Sequence, residues 1–187
     1  MEVLIRPVRH HEIAGLADVE RDGDRRYADY DGVPVGFDDT VAVSTLEAAR
    51  AEGRLWVAVL TEGGRSVRES DEGAVVGFAL AELVDGHGHL AQLSVRLGQQ
   101  GRGVGRQLVE TVGQWAAVRG LTEVTLCTFS DVAWNRPLYE HLGFTVLPED
   151  RWTPGVRAVF TADGELGLDL GRRVVMHRPV PGAGPVR

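Results

Sequence analysis

Residues 100–105 run Gln-Gly-Arg-Gly-Val-Gly, a spacing that can do chemistry. Before them, Leu90 to Val95 reads as a buried strand. After them, Leu108, Val112, Trp115 and Ala116 recur at helical spacing, and Gly120 sits where a C-cap belongs. Glycine at a helix start costs about 1 kcal/mol relative to alanine, so Gly103 and Gly105 need a compensating reason. One is an anion that requires bare backbone N–H groups at the positive end of a helix. The other is a tight strand-to-helix turn with no ligand. Counting excludes two well-known anion loops. The dinucleotide fingerprint needs a third glycine where Arg106 or Leu108 stands, and the P-loop needs Gly-Lys-Ser/Thr where Gly103-Val104 or Arg106 stands.

Other reactive side chains are weaker candidates. His87 and His89 lie two apart on a strand, but no third ligand stands at a recognisable spacing, so no metal site is expected. Cys127 sits among apolar neighbours as a small core residue. As the single cysteine it can form no disulfide within the chain, which suits a reducing cytoplasm. Between Asp22 and Phe37, Tyr27, Tyr30 and Phe37 interleave with Asp24, Asp29 and Asp31. That stretch reads as a long irregular connection, and such loops are often functional. It is either an aromatic, anionic lip for an amine or a solvated loop pinned by its aromatics.

The elements that must position these residues follow from pattern. Val3 to Val8 is a strand closed by Pro7, and His11 to Asp22 is partly helical. Ser44, with Glu47 three residues on, forms a capping box for a helix through Arg50. Leu55 to Leu60 and Ala74 to Val84 are strands, separated by a polar link from Thr61 to Gly73, and Asp85-Gly86 turns into the central strand. Leu121 to Phe129 is a strand; Asp131 or Asn135 caps the next helix, which Gly143 ends. Phe144 to Leu147 and Arg172 to His177 pair antiparallel, and Asp150 to Gly171 between them reads as irregular. Short turns imply antiparallel pairing and the strand–helix–strand unit a parallel crossover. The expected fold is therefore α/β, with a mixed, mostly antiparallel central sheet of about six to seven strands flanked by helices. Residues 1–180 form one domain and 181–187 a Pro/Gly tail that frays.

The chain has 187 residues and a formal charge of −7. That length buries a core without a disulfide or metal staple. The acidic balance argues against nucleic acid and is compatible with a small cationic partner such as an amine. No run is long enough for a signal h-region or a membrane span, so a cytoplasmic protein without membrane contact is expected.

Two motifs together carry a resemblance. Gln100-x-x-Gly103-x-Gly105 resembles the acyl-coenzyme A pyrophosphate loop of the GNAT superfamily of N-acyltransferases. One strand and one helix later, Asn135-Arg-Pro-Leu-Tyr139-Glu-His-Leu-Gly143-Phe144 resembles its Asn…Tyr-x-x-x-Gly-Phe segment. Residues 129–144, with Gly167-Leu-Asp and Arg173-Val-Val-Met, resemble a bacterial subgroup whose members mostly lack an assigned substrate.

The resemblance implies an N-acetyltransferase moving an acetyl group from acetyl-coenzyme A to a primary amine on a small molecule or peptide, without a metal. It is compatible with a homodimer. The backbone of Gly101, Arg102, Gly103, Val104, Gly105 and Arg106 would hold the pyrophosphate, with Gln100 heading the motif. Leu93, Ser94 and Val95 would pair with the pantetheine arm, and Asn135 would hydrogen-bond it. Tyr139 would give its phenolic proton to the leaving sulfur, since a phenol with an ordinary pKa near about 10 is protonated at neutral pH. Many relatives carry glutamate at the position of Gln92. Glutamine cannot accept a proton, so Gln92 is assigned to positioning substrate or water, alongside Tyr27, Tyr30 and Trp134 in the acceptor site. His89, Glu82 and His87 remain as base candidates, with His89 favoured because imidazole titrates near neutrality. A rival reading is a catalytically weak sensor that binds acyl-coenzyme A on the same fold.

Overall fold

The computed structural model describes residues 2–33, 40–61 and 73–180. Phe37, most of the Thr61–Gly73 link and the 181–187 tail lie outside the described residues. The strands are β1 (Glu2–Pro7), β2 (Leu55–Thr61), β3 (Val75–Val84), β4 (His87–Val95), β5 (Glu123–Phe129), β6 (Thr145–Val146) and β7 (Arg173–Pro179). They form one seven-stranded sheet in the order β1-β2-β3-β4-β5-β7-β6. The helices are α1 (Leu16–Asp24), α2 (Val43–Ala51), α3 (Val104–Val118), α4 (Asn135–His141) and α5 (Pro154–Glu165).

The mixed sheet expected from the sequence is observed. β1 pairs antiparallel with β2, and β2 with β3. Asp85 and Gly86 take φ 48° and 83°, the doubly positive pair of a type I′ hairpin turn. α3 carries the chain across to β5, which pairs parallel with β4 through Gly88, His89 and Leu90. β7 then inserts between β5 and β6 and runs antiparallel to both.

The chain falls into two compact units. The first comprises residues 1–28, 40–81 and 92–112; the second comprises 29–39, 82–91 and 113–187. Strand β4 and helix α3 contribute residues to both. In the first unit, Leu16 and Val19 of α1, Leu46 of α2, Phe78 of β3 and Leu108 of α3 are buried. In the second, Val84, Leu147, Val156 and Val175 form one cluster against which Trp152 and Phe160 pack.

Four local expectations need correction. The Asp22–Tyr27 stretch is helical, because α1 runs on through Asp24 into a 3-10 turn at Arg25–Tyr27. α2 begins at Val43 with Ala42 at its N-cap and no side-chain cap, so Ser44 lies inside the helix. Likewise Trp134, rather than Asp131 or Asn135, precedes α4 as its N-cap. The 150–171 segment is not irregular, because it contains α5. There Thr153 caps the Val156 amide, Pro154 fits the first turn, and Val156, Val159 and Phe160 make an apolar stripe.

His89 is part of the sheet interior. Its ring is 2 % exposed and Nδ1 lies 2.9 Å from the Thr125 hydroxyl of the neighbouring strand. Burial lowers the imidazolium pKa from 6.5 to about 4, so the ring is neutral near pH 7. The unfolded chain therefore takes up a proton that the folded chain refuses between those two values. Stability is full above about pH 6.5 and falls as the pH drops toward about 4. We expect a loss of about 2 kcal/mol from this group between pH 7.5 and pH 5, measured by denaturant unfolding. The His89→Gln variant should have a flatter pH profile over that interval, whatever its absolute stability.

Candidate functional site

The glycine loop lies in the first unit. Gly101 and Gly103 have φ of 74° and 81°, a region that side-chain-bearing residues enter at a cost. A Cβ built on either would meet nothing within 4 Å, so the space above both is open. The Gln107 amide donates to the Gly103 carbonyl at 3.1 Å, which makes Gly103 the N-cap of α3. The first-turn amides of Val104, Gly105 and Arg106 thus have no carbonyl within the helix to meet. Val104 turns its side chain into the core, while Arg102 and Arg106 are exposed. Gly105 differs from the other two: its φ is not positive, and a Cβ there would sit at 3.8–3.9 Å from Val95 and Leu93, an ordinary packing distance. This open, cation-flanked row of amides fits a diphosphate.

Gln100 does something the motif did not reveal. Its Nε2 donates to the Val95 carbonyl at 2.9 Å and to the Gly23 carbonyl at 3.2 Å, while Oε1 accepts from Arg26 at 2.9 Å. The side chain is a brace joining the end of β4 to the end of α1. The Leu97 amide adds a bond to Asp22 at 3.0 Å. Gly23 is required here, since a Cβ would stand 2.7 Å from the Val95 carbonyl oxygen.

Earlier on β4, Gln92 donates through Nε2 to Glu20 and, at 3.1 Å, to the Ser94 hydroxyl. Glu20 also accepts from the Val41 amide at 3.1 Å. The sequence reading passed over Glu20. The available signal was its place on the buried stripe of α1, with Leu16, Val19 and Gly23. A carboxylate there is costly unless hydrogen-bonded. Tyr27 ends the 3-10 turn after α1 and is half-buried.

In the second unit, Tyr139 lies on α4, half-buried, with its ring edge-on to Phe144 at 5.8 Å between centroids. Its carbonyl accepts from the Leu142 and Phe144 amides, closing the helix before Gly143. Asn135 starts that helix with its amide bonded to the Val132 carbonyl at 3.1 Å, and Trp134 beside it is half-buried. Glu82 is half-buried on β3. His87 faces Glu123 at 3.8 Å. With an interior ring and a depressed pKa, His89 is a weak proton acceptor. Cys127 is no better as a nucleophile, because burial pushes its thiol up to about 12.

The Tyr30 lip is differently built from the anionic loop expected. Tyr30 donates to Asp131 at 2.6 Å, and the Arg172 guanidinium lies 4.5 Å above its ring. Arg172 also bridges Asp131 and Asp31, so both carboxylates face an arginine. Burial and the Asp131 carboxylate raise the Tyr30 phenol to about 12. The bond from Tyr30 and the arginine hold Asp131 below the usual carboxylate range.

Among the described residues, no group of three or more His, Cys, Asp or Glu could hold a metal ion, and no helix is long and apolar enough to cross a membrane.

Known proteins extend these observations. The fold is similar to that of a PaiA N-acetyltransferase from Thermoplasma acidophilum in complex with coenzyme A. The two share a TM-score of 0.68 and 14% identity over 96% of this chain and 99% of that one. It is also similar to the ribosomal-protein-S18-alanine N-acetyltransferase from Escherichia coli, with TM-score 0.62 and 18% identity over 100% and 99%. A short segment of 61 residues is 34% identical to an isoprenyl transferase from Helicobacter hepaticus, spanning 33% of this chain and only 26% of that protein. The model of the acetyltransferase (GNAT) family matches residues 39–144, more than half of the chain and all of the glycine loop. By that match and the fold, the chain belongs to the acetyltransferase (GNAT) family.

Proposed function

We propose that this protein transfers an acetyl group from acetyl-coenzyme A to a primary amine by direct attack. The observation that carries the reading is the loop at Gly101 and Gly103, open above and backed by the unpaired amides that begin α3. Membership of an acyltransferase family supports the reaction class. When bound, acetyl-coenzyme A supplies the thioester-activated acetyl group.

Each residue then has a task. The amides from Gly101 to Arg106 hold the diphosphate, with Arg102 and Arg106 neutralising charge. The backbone of Leu93, Ser94 and Val95 pairs with the pantetheine arm as an added strand would, and Asn135 hydrogen-bonds the same arm. Registered parallel pairing of β4 with β5 involves Gly88 to Leu90, which is consistent with leaving the later residues to a ligand. Tyr139 holds a proton at its phenolic oxygen and delivers it to the leaving sulfur. The inert Cys127 favours direct attack over a covalent acyl-enzyme. Glu82 and His87 are the remaining side-chain base candidates. Tyr27, Tyr30, Gln92 and Trp134 are assigned to the acceptor, a small-molecule or peptide amine. Gln92, which cannot take a proton, favours the second reading, an acyl-coenzyme A sensor.

Two measurements test this. Gly103→Ala places a side chain in a positive-φ position and over the phosphate seat; isothermal titration with acetyl-coenzyme A should show affinity reduced by about tenfold or more, a change of about 1.4 kcal/mol. Gly105→Ala, with ordinary packing distances, should bind within about twofold of the parent. Tyr139→Phe should lower kcat by about 100-fold in a thiol-release assay while leaving acetyl-coenzyme A binding intact. Binding without turnover on any amine would favour the sensor.

A further inference from the structure

In the second unit, Thr145, His177 and Glu123 have no task in the acyl transfer proposed above, yet their side chains meet in sequence. Thr145 of β6 and His177 of β7 are cross-strand partners. His177 is also the partner of Thr125 on β5, and Glu123 stands two residues before Thr125 on the same face. The Thr125 hydroxyl lies 2.9 Å from His89, and His177 reaches Glu123 instead. Its Nδ1 is 3.0 Å from Glu123 Oε2, and its Nε2 is 3.3 Å from Thr145 Oγ1. The other Glu123 oxygen faces His87 Nδ1 at 3.8 Å, with the Thr122 hydroxyl 3.5 Å from the same nitrogen.

A carboxylate oxygen at Nδ1 accepts that nitrogen's proton, which leaves the imidazole lone pair on Nε2, the nitrogen that faces the threonine. Hydroxyl, imidazole and carboxylate then stand in the order that activates an oxygen nucleophile, with the base on the hydroxyl and an orienting group on the far nitrogen. His177 is 9 % exposed and the Glu123 side chain 21 %, whereas Thr145 is exposed. A chain that only satisfied a buried histidine could end on any carbonyl. This one ends on an exposed hydroxyl, whose one polar neighbour among the described residues is that nitrogen. The backbone beside it is also suited to the chemistry. The Leu147 amide donates to the Val175 carbonyl at 2.9 Å, so by antiparallel alternation the Val146 amide points away from β7. β6 is the last strand of the sheet, and no described strand pairs with that amide. An N–H directly after a nucleophile is where an oxyanion donor stands.

We infer that Thr145 and His177 are the catalytic residues of a second site, a hydrolase for small activated carboxylic esters, with Glu123 as the positioning residue that fixes the imidazole. Thr145 Oγ1 bonds to the ester carbonyl carbon as its proton passes to His177 Nε2, and the Val146 amide meets the oxyanion. The bond to the alcohol then breaks, and the alcohol leaves with the proton from Nε2. Water attacks the threonyl ester and gives a proton to Nε2; that proton returns to Thr145 Oγ1 as the carboxylic acid departs. The net change is ester and water to acid and alcohol. A single oxyanion donor suits an ester with a good leaving alcohol better than an amide. This activity does not depend on the acyltransferase reading.

The test uses the full chain with 4-nitrophenyl acetate as substrate and an alkyl fluorophosphonate as covalent probe, without coenzyme A. The parent should hydrolyse the ester faster than an equal concentration of free imidazole, and peptide mass spectrometry should find the phosphonyl group on Thr145. Thr145→Val, close in volume and at an exposed position, should lower kcat/KM for the ester by about 100-fold or more and lose the label. Thr145→Ser, which keeps the hydroxyl, should retain both. Glu123→Gln should lower kcat for the ester by about tenfold or more with KM little changed, as expected of an orienting group. Thermal midpoints and acetyl-coenzyme A titration of the Thr145 variants should match the parent. The inference is wrong if the parent is no faster than imidazole, if the label falls on another residue, or if Thr145→Val keeps the parent's rate. A fall in kcat with Thr145→Ser as deep as with Thr145→Val also overturns it, because the hydroxyl would then not be the nucleophile. Failure of acetyl-coenzyme A to bind the parent would overturn the transfer reading and leave this result standing.

Discussion

A single side chain holds the end of α1, the end of β4 and the glycine turn in one arrangement. The Gln100 carboxamide spends both functional ends on protein, two carbonyls on one side and Arg26 on the other. Remove it, and the Val95 carbonyl loses this donor while the Gly23 carbonyl keeps only the Arg25 amide, just where a Cβ on Gly23 would stand 2.7 Å from the Val95 carbonyl oxygen. The open amides at Gly101 to Arg106 are useful only while the turn keeps its positive φ angles, and those angles carry a cost that the surrounding bonds offset. The first residue of the glycine motif thus braces the elements around the loop.

The same division between reach and support recurs throughout. Strand β4 supplies Gln92 and Ser94 in the first unit and the buried His89 in the second. Ser94 and His89 are both buried, and each makes a polar contact, with Gln92 and Thr125 respectively. Tyr139 lies on a short helix tied off by its own carbonyl and by the ring of Phe144. Its placement rests on local closure.

Much of this was legible from sequence because it is local. The strand–glycine–helix order and the Asp85-Gly86 hairpin follow from short-range pattern, and the structure has both of them. The errors come from weighing local signals wrongly. Thr153-Pro154 is a good helix opening, yet the flanking glycines and prolines hid α5, and Ser44 with Glu47 imitated a cap although the helix opens one residue earlier, at Val43. The Glu20–Gln92 contact joins residues 72 apart in the chain. Nothing in either neighbourhood names the other, so only the folded backbone reveals it. His89 was misjudged for a related reason: imidazole chemistry is visible in the sequence, whereas burial by a neighbouring strand is not.

The Arg172 cluster has a consequence for how this protein would respond to its surroundings. Its arginine is 30 % exposed and Asp31 87 %, so dissolved ions reach both, and exposed pairs of this kind weaken as the Debye length shrinks toward about 3 Å in molar salt. Glu20 and Gln92, shut away from solvent by comparison, feel little of that. Concentrated electrolyte would therefore loosen the Tyr30 loop while leaving the α1–β4 contact as it is, and brackish and dilute conditions would present the same chain with differently tethered edges.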